Sequence, residues 1–224
     1  MDLIEAGARV LAEEGRPAVT ARRLAAEVGA STMAVYTNFG SMDELFVQMC
    51  REGFARFGIA LDGPADTDDP VADWVAQGWA YRRFALDDPH LYRVMFGDLL
   101  ALFRADLAAA GVGPVPDTFG SLLRRLARCV EAGRMAIDDL HLAGEAVWSA
   151  VHGHMTIELG GYFDAIRRDP VQAYAQGMRL LGLGLGDEPR ALERSMRAAR
   201  RRAGSQVTGQ PPASGGNARR VSGR

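Results

Sequence analysis

The sequence predicts an all-α protein with an N-terminal three-helix unit and a larger helical C-terminal domain. Apolar residues recur every three to four positions through most of the 224-residue chain, as in helices with one buried face. No pair of segments alternates apolar and polar residues as two paired strands would. We expect the N-terminal unit to span residues 1–45 and the C-terminal domain residues 46–186. Residues 187–224 are predicted to be an arginine-rich, largely disordered tail.

The first 60 residues carry the signals of four helices. One helix is predicted over residues 2–14 and a second over Thr20–Val28. Ser31 is placed to cap a third helix, and Ser41 to cap a fourth that reaches about residue 60. Gly29 lies between the second and third helices, where a tight turn often needs a positive φ. The pattern therefore predicts two short helices joined by a tight turn.

Beyond a polar linker at residues 62–70, about five more helices are predicted. Asp88-Pro89 and Asp169-Pro170 each place a capping residue before a proline at the first helical position. One helix is expected over about residues 139–160, and the helix after Pro170 follows it. These two are the candidates for a helical dimer interface.

The distribution of charge restricts the classes of function. All 26 basic residues are arginine, and the net charge is −2. Residues 187–224 hold nine arginines and three acidic residues, whereas residues 1–186 hold 17 arginines and 25 acidic residues. An acidic body with a basic tail is not typical of a protein that coats nucleic acid without specificity. A DNA-binding function would therefore depend on a small local surface.

Membrane and secreted proteins are disfavoured on other grounds. No apolar run approaches the roughly 18 residues that span a bilayer. The acidic, amphipathic start does not resemble a signal peptide, so we expect a cytoplasmic location without membrane partners. Cys50 and Cys129 lie far apart in sequence and are expected to be reduced.

Residues 20–39 have the organisation of a helix-turn-helix, in which the second helix enters the major groove of double-stranded DNA. Hydroxyl, amide and guanidinium groups in such a unit can bond base edges or phosphates. Spacing alone leaves open that this is an ordinary helical corner. The candidate DNA-binding residues are Thr20, Arg22, Arg23, Ser31, Thr32, Met33, Tyr36, Thr37 and Asn38.

The run from Thr20 to Leu45, TARRLAAEVGASTMAVYTNFGSMDEL, closely resembles the DNA-binding domain of TetR-type regulators. The resemblance covers about residues 3–50. It implies a homodimer in which each subunit inserts the helix Ser31–Asn38 into one half-site of a roughly palindromic operator. It also implies that a small-molecule effector in the C-terminal domain spreads the two reading heads and releases the DNA. The residues that carry the resemblance are Ala25, Gly29, Ser31, Tyr36, Phe39 and Leu45.

One residue of this segment departs from the family pattern. Met42 stands where the family commonly has a lysine that contacts a phosphate, and residues 1–60 hold six arginines against eight acidic residues. Because phosphate neutralisation supplies most non-specific affinity, DNA binding is expected to be weak and dependent on individual contacts. The alternative is a helical small-molecule-binding protein whose DNA-binding head is weakened or vestigial.

The segment WSAVHGHMTIEL, from Trp148 to Leu159, resembles the Trp-His-Gly signature of one TetR C-terminal subgroup. An effector cavity needs apolar walls with a few polar groups. The ligand-binding candidates are Trp79, Phe84, Tyr92, Phe96, Phe103, Phe119, Leu122, Trp148 and His152. For each of them, ordinary core packing is the alternative.

Two helical stripes are candidates for the homodimer interface, and packing inside the protomer core is the alternative for both. The candidate interface residues are Val151, Met155, Leu159, Tyr174, Met178 and Leu181.

Catalytic and metal chemistry find no support in the sequence. There is no nucleophile elbow, phosphate-binding loop or metal-binding helix motif. His152 and His154 are two residues apart on a predicted helix, so they point in different directions and are poor joint metal ligands. We therefore expect no enzyme activity, no metal and no cofactor.

Overall fold

The computed structural model describes residues 2–97 and 116–203. Within these ranges the chain is all-α, as the sequence predicts, with one short 3-10 turn at Arg16–Ala18. The helices are α1 (Leu3–Glu14), α2 (Ala21–Val28), α3 (Thr32–Phe39), α4 (Met42–Asp62), α5 (Pro70–Asp87), α6 (Pro89–Phe96), α7 (Pro116–Glu131), α8 (Leu140–Leu159), α9 (Tyr162–Ala165), α10 (Pro170–Gly184) and α11 (Pro189–Ala203).

The N-terminal helices begin at the hydroxyl residues that the sequence indicates. Thr20 Oγ1 accepts a hydrogen bond from Arg23 N at 3.2 Å at the start of α2. Ser31 Oγ accepts one from Ala34 N at 3.1 Å at the start of α3. Gly29 takes φ +68° between them, a left-handed conformation that glycine adopts at little cost. The turn of the predicted helix-turn-helix is therefore built by its local sequence.

Aspartate followed by proline opens α5, α6 and α10. Asp69 Oδ1 accepts a hydrogen bond from Ala72 N at 3.0 Å, and Asp88 Oδ1 accepts one from Leu91 N at 3.1 Å. Asp169 Oδ1 accepts one from Val171 N at 2.8 Å. The proline in each pair lacks an N–H that would otherwise be unsatisfied in the first helical turn.

Helix α5 forms the centre of the C-terminal domain. Val71, Ala72, Trp74 and Val75 are all buried, so nearly the whole circumference of its first turns faces protein. Helices α4, α7 and α11 pack around it. The first turns of α5 are apolar on several faces because protein, not solvent, surrounds them.

Residues 187–203 do not form part of a disordered tail, so the predicted boundary at residue 187 is wrong. They include the helix α11, which packs along α5 and buries Leu192 and Ala199 completely. Arg134 holds the start of this segment through two hydrogen bonds of 2.8 Å to Asp187. Local composition misled the prediction, because a few buried residues on one face suffice to order an arginine-rich helix. Residues 204–224 lie outside the described residues.

Helix α4 runs without interruption across the predicted boundary at residues 45/46. Its first half packs against α1 and α3, and its second half contacts α5, α6 and α7. Helix α6 lies against both α1 and α4, and Gly53 of α4 gives Met95 of α6 room to approach closely. The N-terminal unit and the C-terminal domain therefore share a helix and a packed contact.

Both cysteines are free and buried. Burial raises the pKa of Cys50 to about 11 and that of Cys129 to about 12, so both stay protonated thiols at neutral pH. Across residues 2–97 and 116–203, no helix has the length and apolar character to cross a membrane.

Candidate functional site

The outer face of α3 is the exposed surface of the helix-turn-helix. Met33 is 71% exposed, and Tyr36 is also exposed. The inward residue Val35 is buried against Ala21 and Ala25 of α2. The predicted reading residues on this helix therefore face outward together; they are Thr32, Met33, Tyr36, Thr37 and Asn38.

Hydrogen bonds within the head orient some of these groups. Asn38 Nδ2 donates to Ala34 O at 2.8 Å, which leaves its side-chain carbonyl oxygen as an acceptor. The hydroxyl oxygens of Thr20 and Ser31 accept backbone N–H groups, so their hydroxyl protons are available to donate to a phosphate oxygen.

The two arginines of α2 differ in how firmly the protein holds them. Arg23 donates to Glu14 at 2.9 Å and also pairs with Glu27. The hydrogen bond from Arg23 to Glu14 and the charge of Glu27 raise the pKa of Arg23. Arg22 is exposed and makes no ion pair with any described residue. Arg22 is therefore the cation of α2 that is not already neutralised.

Met42 packs against the apolar cluster of the helix-turn-helix. It is half-buried and lies against the small cluster formed by Ala21, Ala25 and Val35. Its thioether and methylene groups fill space beside α2 and α3. The position that carries a phosphate-binding lysine in the family resemblance contributes apolar packing here.

A cavity of about 200 Å³ lies between α4, α5, α6, α7, α8 and α10. Most of its wall is apolar, and one carboxylate, Glu145, lies on it. The apolar and aromatic lining residues are Phe57, Leu61, Trp74, Gly78, Tyr81, Phe96, Phe119, Leu122, Val147, Trp148, Val151 and Met178. The polar lining residues are Gln77, Thr118 and Glu145.

Four of the nine predicted ligand-binding residues lie on the wall of this cavity: Phe96, Phe119, Leu122 and Trp148. Four others do not line it: Trp79, Phe84, Tyr92 and His152. Phe103 lies outside the described residues.

The four residues off the wall have partners in the surrounding protein. Trp79 packs against Tyr174 with ring centroids 4.9 Å apart, and Phe84 packs against Phe57 at 5.1 Å. Tyr92 and His152 bond each other, as described below. For Trp79 and Phe84, the alternative of ordinary core packing applies.

Tyr81, which lines the cavity, forms a polar cluster with Tyr92 and His152, which lie behind the wall. Tyr92 Oη lies 2.7 Å and Tyr81 Oη 3.3 Å from His152 Nδ1, and the two hydroxyls are 2.9 Å apart. Burial lowers the pKa of His152 and raises the pKa values of both tyrosines, so all three groups are neutral at pH 7. A neutral His152 that accepts at Nδ1 carries its proton on Nε2.

A second polar chain reaches the cavity from the surface. Ser121 Oγ donates to Asp62 Oδ1 at 2.6 Å, and Gln77 Nε2 donates to Ser121 Oγ at 2.8 Å. Gln77 is 3% exposed and lines the cavity. Sequence reasoning missed this chain because its three members come from α4, α5 and α7.

Other lining residues were also missed, although a signal for them existed. Phe57 and Leu61 are four residues apart on α4, and Trp74, Gln77 and Tyr81 follow the same helical spacing on α5. That spacing places each set on one helix face. It does not say that the two faces meet.

The predicted dimer stripes face the interior of the protomer. Val151, Met155, Tyr174 and Met178 are buried in the protomer core, and Val151 and Met178 line the cavity. Leu159 and Leu181 are half-buried against the same core. For the four buried residues, the alternative of packing inside the protomer core applies, because α8 and α10 carry apolar residues on both their inner and outer sides. A place for Leu159 and Leu181 in the interface stays a prediction.

Comparison with known proteins identifies both parts of the chain. Residues 3–49 match the profile of bacterial regulatory proteins of the tetR family. Residues 74–181 match the profile of the tetracyclin repressor-like C-terminal domain. No curated protein sequence matches the chain.

Several solved structures share the fold. The TetR family regulator PfmR from Thermus thermophilus is 22% identical, with a TM-score of 0.63 over 83% of this chain and 95% of that one. RolR in complex with resorcinol is 21% identical, with a TM-score of 0.56 over 87% and 91%. A gamma-butyrolactone receptor described as ArpA-like is 19% identical, with a TM-score of 0.61 over 89% and 93%. The two profiles and the shared fold show that the chain belongs to the TetR family of transcriptional regulators.

Proposed function

We propose that the protein is a repressor that binds a palindromic operator as a homodimer in the cytoplasm and leaves it when a small hydrophobic effector enters the cavity. Members of its family are transcriptional regulators, not enzymes. The observation that carries the proposal is the continuity of α4. Its N-terminal end packs against the reading helix α3, and Phe57 and Leu61 near its C-terminal end line the cavity.

The reading surface is the outer face of α3, supported by Arg22. Thr32, Thr37 and Asn38 supply the hydroxyl and amide groups that bond base edges or phosphates. Because Arg23 is held by two glutamates and Met42 replaces a cation, few charges neutralise the DNA backbone. We therefore expect a shallow dependence of operator affinity on salt.

Two exposed stripes on α8 and α10 form the proposed homodimer surface. On α8 the stripe comprises Leu142, Ala146, Ala150, Gly153 and Ile157, which lie on one side of the helix. On α10 it comprises Gly177, Leu180 and Gly184, and Leu180 is 58% exposed. A Cβ added at Gly153, Gly177 or Gly184 would meet no atom within 4 Å. Large apolar side chains beside open glycines suit the close approach of a second copy's helices, as in a four-helix interface.

The size and lining of the cavity favour a small, largely apolar effector. An apolar cavity of about 150 Å³ can hold a benzene molecule, so 200 Å³ suits a substituted single ring. The similar structure of RolR contains resorcinol, a single-ring compound, which is consistent with this size. The segment Trp148–Leu159 supports placing the domain in the Trp-His-Gly subgroup, since Trp148 lines the cavity and His152 lies directly behind it.

Release follows from the position of the effector between helices. A molecule in the cavity presses on Phe57 and Leu61 of α4 and on Phe96 of α6. Helix α6 also packs against α1. Movement of α4 or α6 therefore changes the orientation of the helix-turn-helix. Effector binding lowers operator affinity only by as much as the effector prefers the re-aimed state.

A gel-shift titration against the DNA upstream of the protein's own gene, at increasing salt, tests the proposal. Replacing Arg22 with alanine should weaken binding and reduce the salt slope by about one. The matched control is Arg190→Ala, which removes an exposed arginine of α11 and should change neither quantity. Failure to find any sequence-preferring site would overturn the proposal. It would favour the alternative of a small-molecule-binding protein with a vestigial head, which the neutralised Arg23 and the apolar Met42 also support.

A further inference from the structure

We propose that Gln77 is the specificity-determining residue of the cavity, and that it selects an uncharged, single-ring effector that donates a hydrogen bond to Gln77 Oε1. This inference rests on the proposed function only in treating the cavity as the effector site. It adds the polar chemistry that the effector must carry.

The orientation of the Gln77 amide follows from the chain of groups behind it. The Asp62 carboxylate can only accept when ionised, so the Ser121 hydroxyl donates to it. Ser121 Oγ then accepts from Gln77, and only the Nε2 end of that amide can donate. The exposed carboxylate at the surface thus fixes which end of a buried amide is engaged.

The second N–H of Gln77 also points away from the cavity. Gln77 Nε2 lies 3.5 Å from Leu61 O, at the far limit of a hydrogen bond. Both donors of the amide therefore lie toward protein acceptors. Oε1 is left as the polar atom of this side chain without a partner among the described residues.

Oε1 opens into the cavity. In the described part of the chain, the side-chain atoms that are fully buried and lack a hydrogen-bond partner are on His90 and His154. Gln77 Oε1 also lacks a partner but is not among them, so this oxygen is not fully enclosed by protein. Gln77 is almost fully buried as a residue, yet it lines the cavity. An unpaired carbonyl oxygen in an apolar wall favours a ligand donor, because an effector without one would leave the oxygen desolvated and unsatisfied.

The rest of the wall disfavours an anion. Of the described lining residues, none is basic, and Glu145 is acidic. A carboxylate ligand would lose its hydration without gaining a cation and would be repelled by Glu145 and by Gln77 Oε1. The aromatic rings of Phe57, Trp74 and Phe119 suit the apolar body of a neutral ring instead.

Three matched probes test the proposal: 4-ethylphenol, its methyl ether 4-ethylanisole, and 4-ethylbenzoate. Their affinities for the full chain can be measured by quenching of tryptophan fluorescence, since Trp74 and Trp148 line the cavity. We expect the phenol to bind about tenfold more tightly than the ether, the ratio that one well-placed hydrogen bond gives. The benzoate should bind more weakly than either.

Variants assign the discrimination to Gln77. Gln77→Met keeps the length of the side chain and removes the acceptor, so the phenol and the ether should bind within about twofold of each other. Ser121→Ala frees the amide to rotate and present its N–H groups, so the ether should gain relative to the phenol. Gln48→Met, the same substitution at a glutamine of α4 that does not line the cavity, is the control and should keep the tenfold ratio. Melting temperatures measured by circular dichroism confirm that each variant is folded.

The results separate this inference from the proposed function. Equal or undetectable binding of the phenol and the ether to the natural protein would overturn the inference, as would a preference that survives in Gln77→Met. Selective binding of the phenol that leaves a protein–operator complex intact would support the inference and count against effector-driven release.

Discussion

Arg202 of α11 and Asp73 of α5 are 129 residues apart in sequence, and Arg202 Nη1 donates to Asp73 Oδ1 at 2.9 Å. Asp73 is completely buried and also accepts from Thr67 N and Thr67 Oγ1 at 2.8 Å and from Arg128 at 3.0 Å. Burial acts to raise the pKa of Asp73, but these donors outweigh it and hold the pKa below its ordinary value. The end of the last described helix is thereby fastened to the start of the central one.

Removing Arg202 should loosen this fastening. We expect Arg202→Met to lower the free energy of unfolding by about 1 kcal/mol, because a charge-assisted hydrogen bond to a buried carboxylate is lost while Arg128 still pairs with it. Urea unfolding followed by circular dichroism measures the change. Arg201→Met is the control, since Arg201 is exposed and should change stability by less than about 0.5 kcal/mol. Equal effects of the two substitutions would contradict a specific role for the Asp73 contact.

Two glycines of α4 should respond to alanine in opposite directions. A Cβ at Gly53 would lie 2.6 Å from Met95 Cγ, so Gly53→Ala should cost about 1–3 kcal/mol by forcing α4 and α6 apart. A Cβ at Gly58 would meet its nearest neighbour, Thr118 Cγ2, at an ordinary 3.8 Å. Gly58→Ala should therefore stabilise the protein by about 0.5–1 kcal/mol through helix propensity. Thermal unfolding of both variants measures these effects, and destabilisation by both would show that the α4–α6 approach is not the cause.

Acid should weaken the contact between α5 and α8 that Glu158 makes. Burial acts to raise the pKa of Glu158, but His154 and Arg82 beside it hold the pKa below its ordinary value. Its carboxylate therefore contributes stability above the ordinary glutamate pKa of about 4.3, and this is lost as the pH falls through the folded value. Glu158→Gln, which leaves the buried Arg82 without its counter-charge, should cost about 3 kcal/mol at pH 7.

The difference in unfolding free energy between the natural protein and Glu158→Gln should shrink as the pH is lowered from 6 through the folded-state pKa of Glu158, which lies below the ordinary glutamate value of about 4.3. The reason is that a protonated Glu158 carries no charge, like the glutamine that replaces it. A difference that stays constant over this range would show that the Glu158 charge does not contribute.

An acidic residue on the proposed dimer surface should prevent dimerisation. Ile157 is 46% exposed on the outer stripe of α8, and Ile157→Glu would place two like charges near each other in a symmetric interface. Sedimentation-velocity measurements should show a monomer for this variant and a dimer for the natural protein. Ile59→Glu is the matched control, because Ile59 is 75% exposed on α4 and outside the stripe. A dimer in both variants would place the interface elsewhere.

The helix boundaries and the helix-turn-helix follow from short-range sequence signals. Ser31 and Thr20 cap the helices predicted for them, and the aspartate–proline pairs open α6 and α10. A capping hydrogen bond joins residues two or three positions apart, so a local pattern contains all the information that it needs. The α3 face was predictable for the same reason, since Val35 is the apolar residue that faces the α2 cluster.

The composition of the cavity and of the dimer surface depends on contacts between distant segments. Val151 and Met178 were assigned to an interface but line the cavity, because α8 and α10 are apolar on two sides and only packing decides which side is covered. Phe84 has an aromatic side chain that would suit the cavity wall, but it packs behind Phe57. Helix α11 is a further example. Its arginines suggested a disordered tail, and only the tertiary structure shows that one face of this helix packs against α5.

The sequence by itself determined where the helices begin, that two of them form a DNA-binding unit, and which family the chain joins, because these are properties of neighbouring residues. Only the tertiary structure decided that Asp62, Ser121 and Gln77 form one hydrogen-bonded chain and that Asp73 meets Arg202. These groups lie up to 129 residues apart, and no local pattern encodes which helix faces meet when a core closes. The helix-turn-helix was therefore open to prediction from its own residues, whereas the polar chemistry of the cavity was set by the packing of the whole domain.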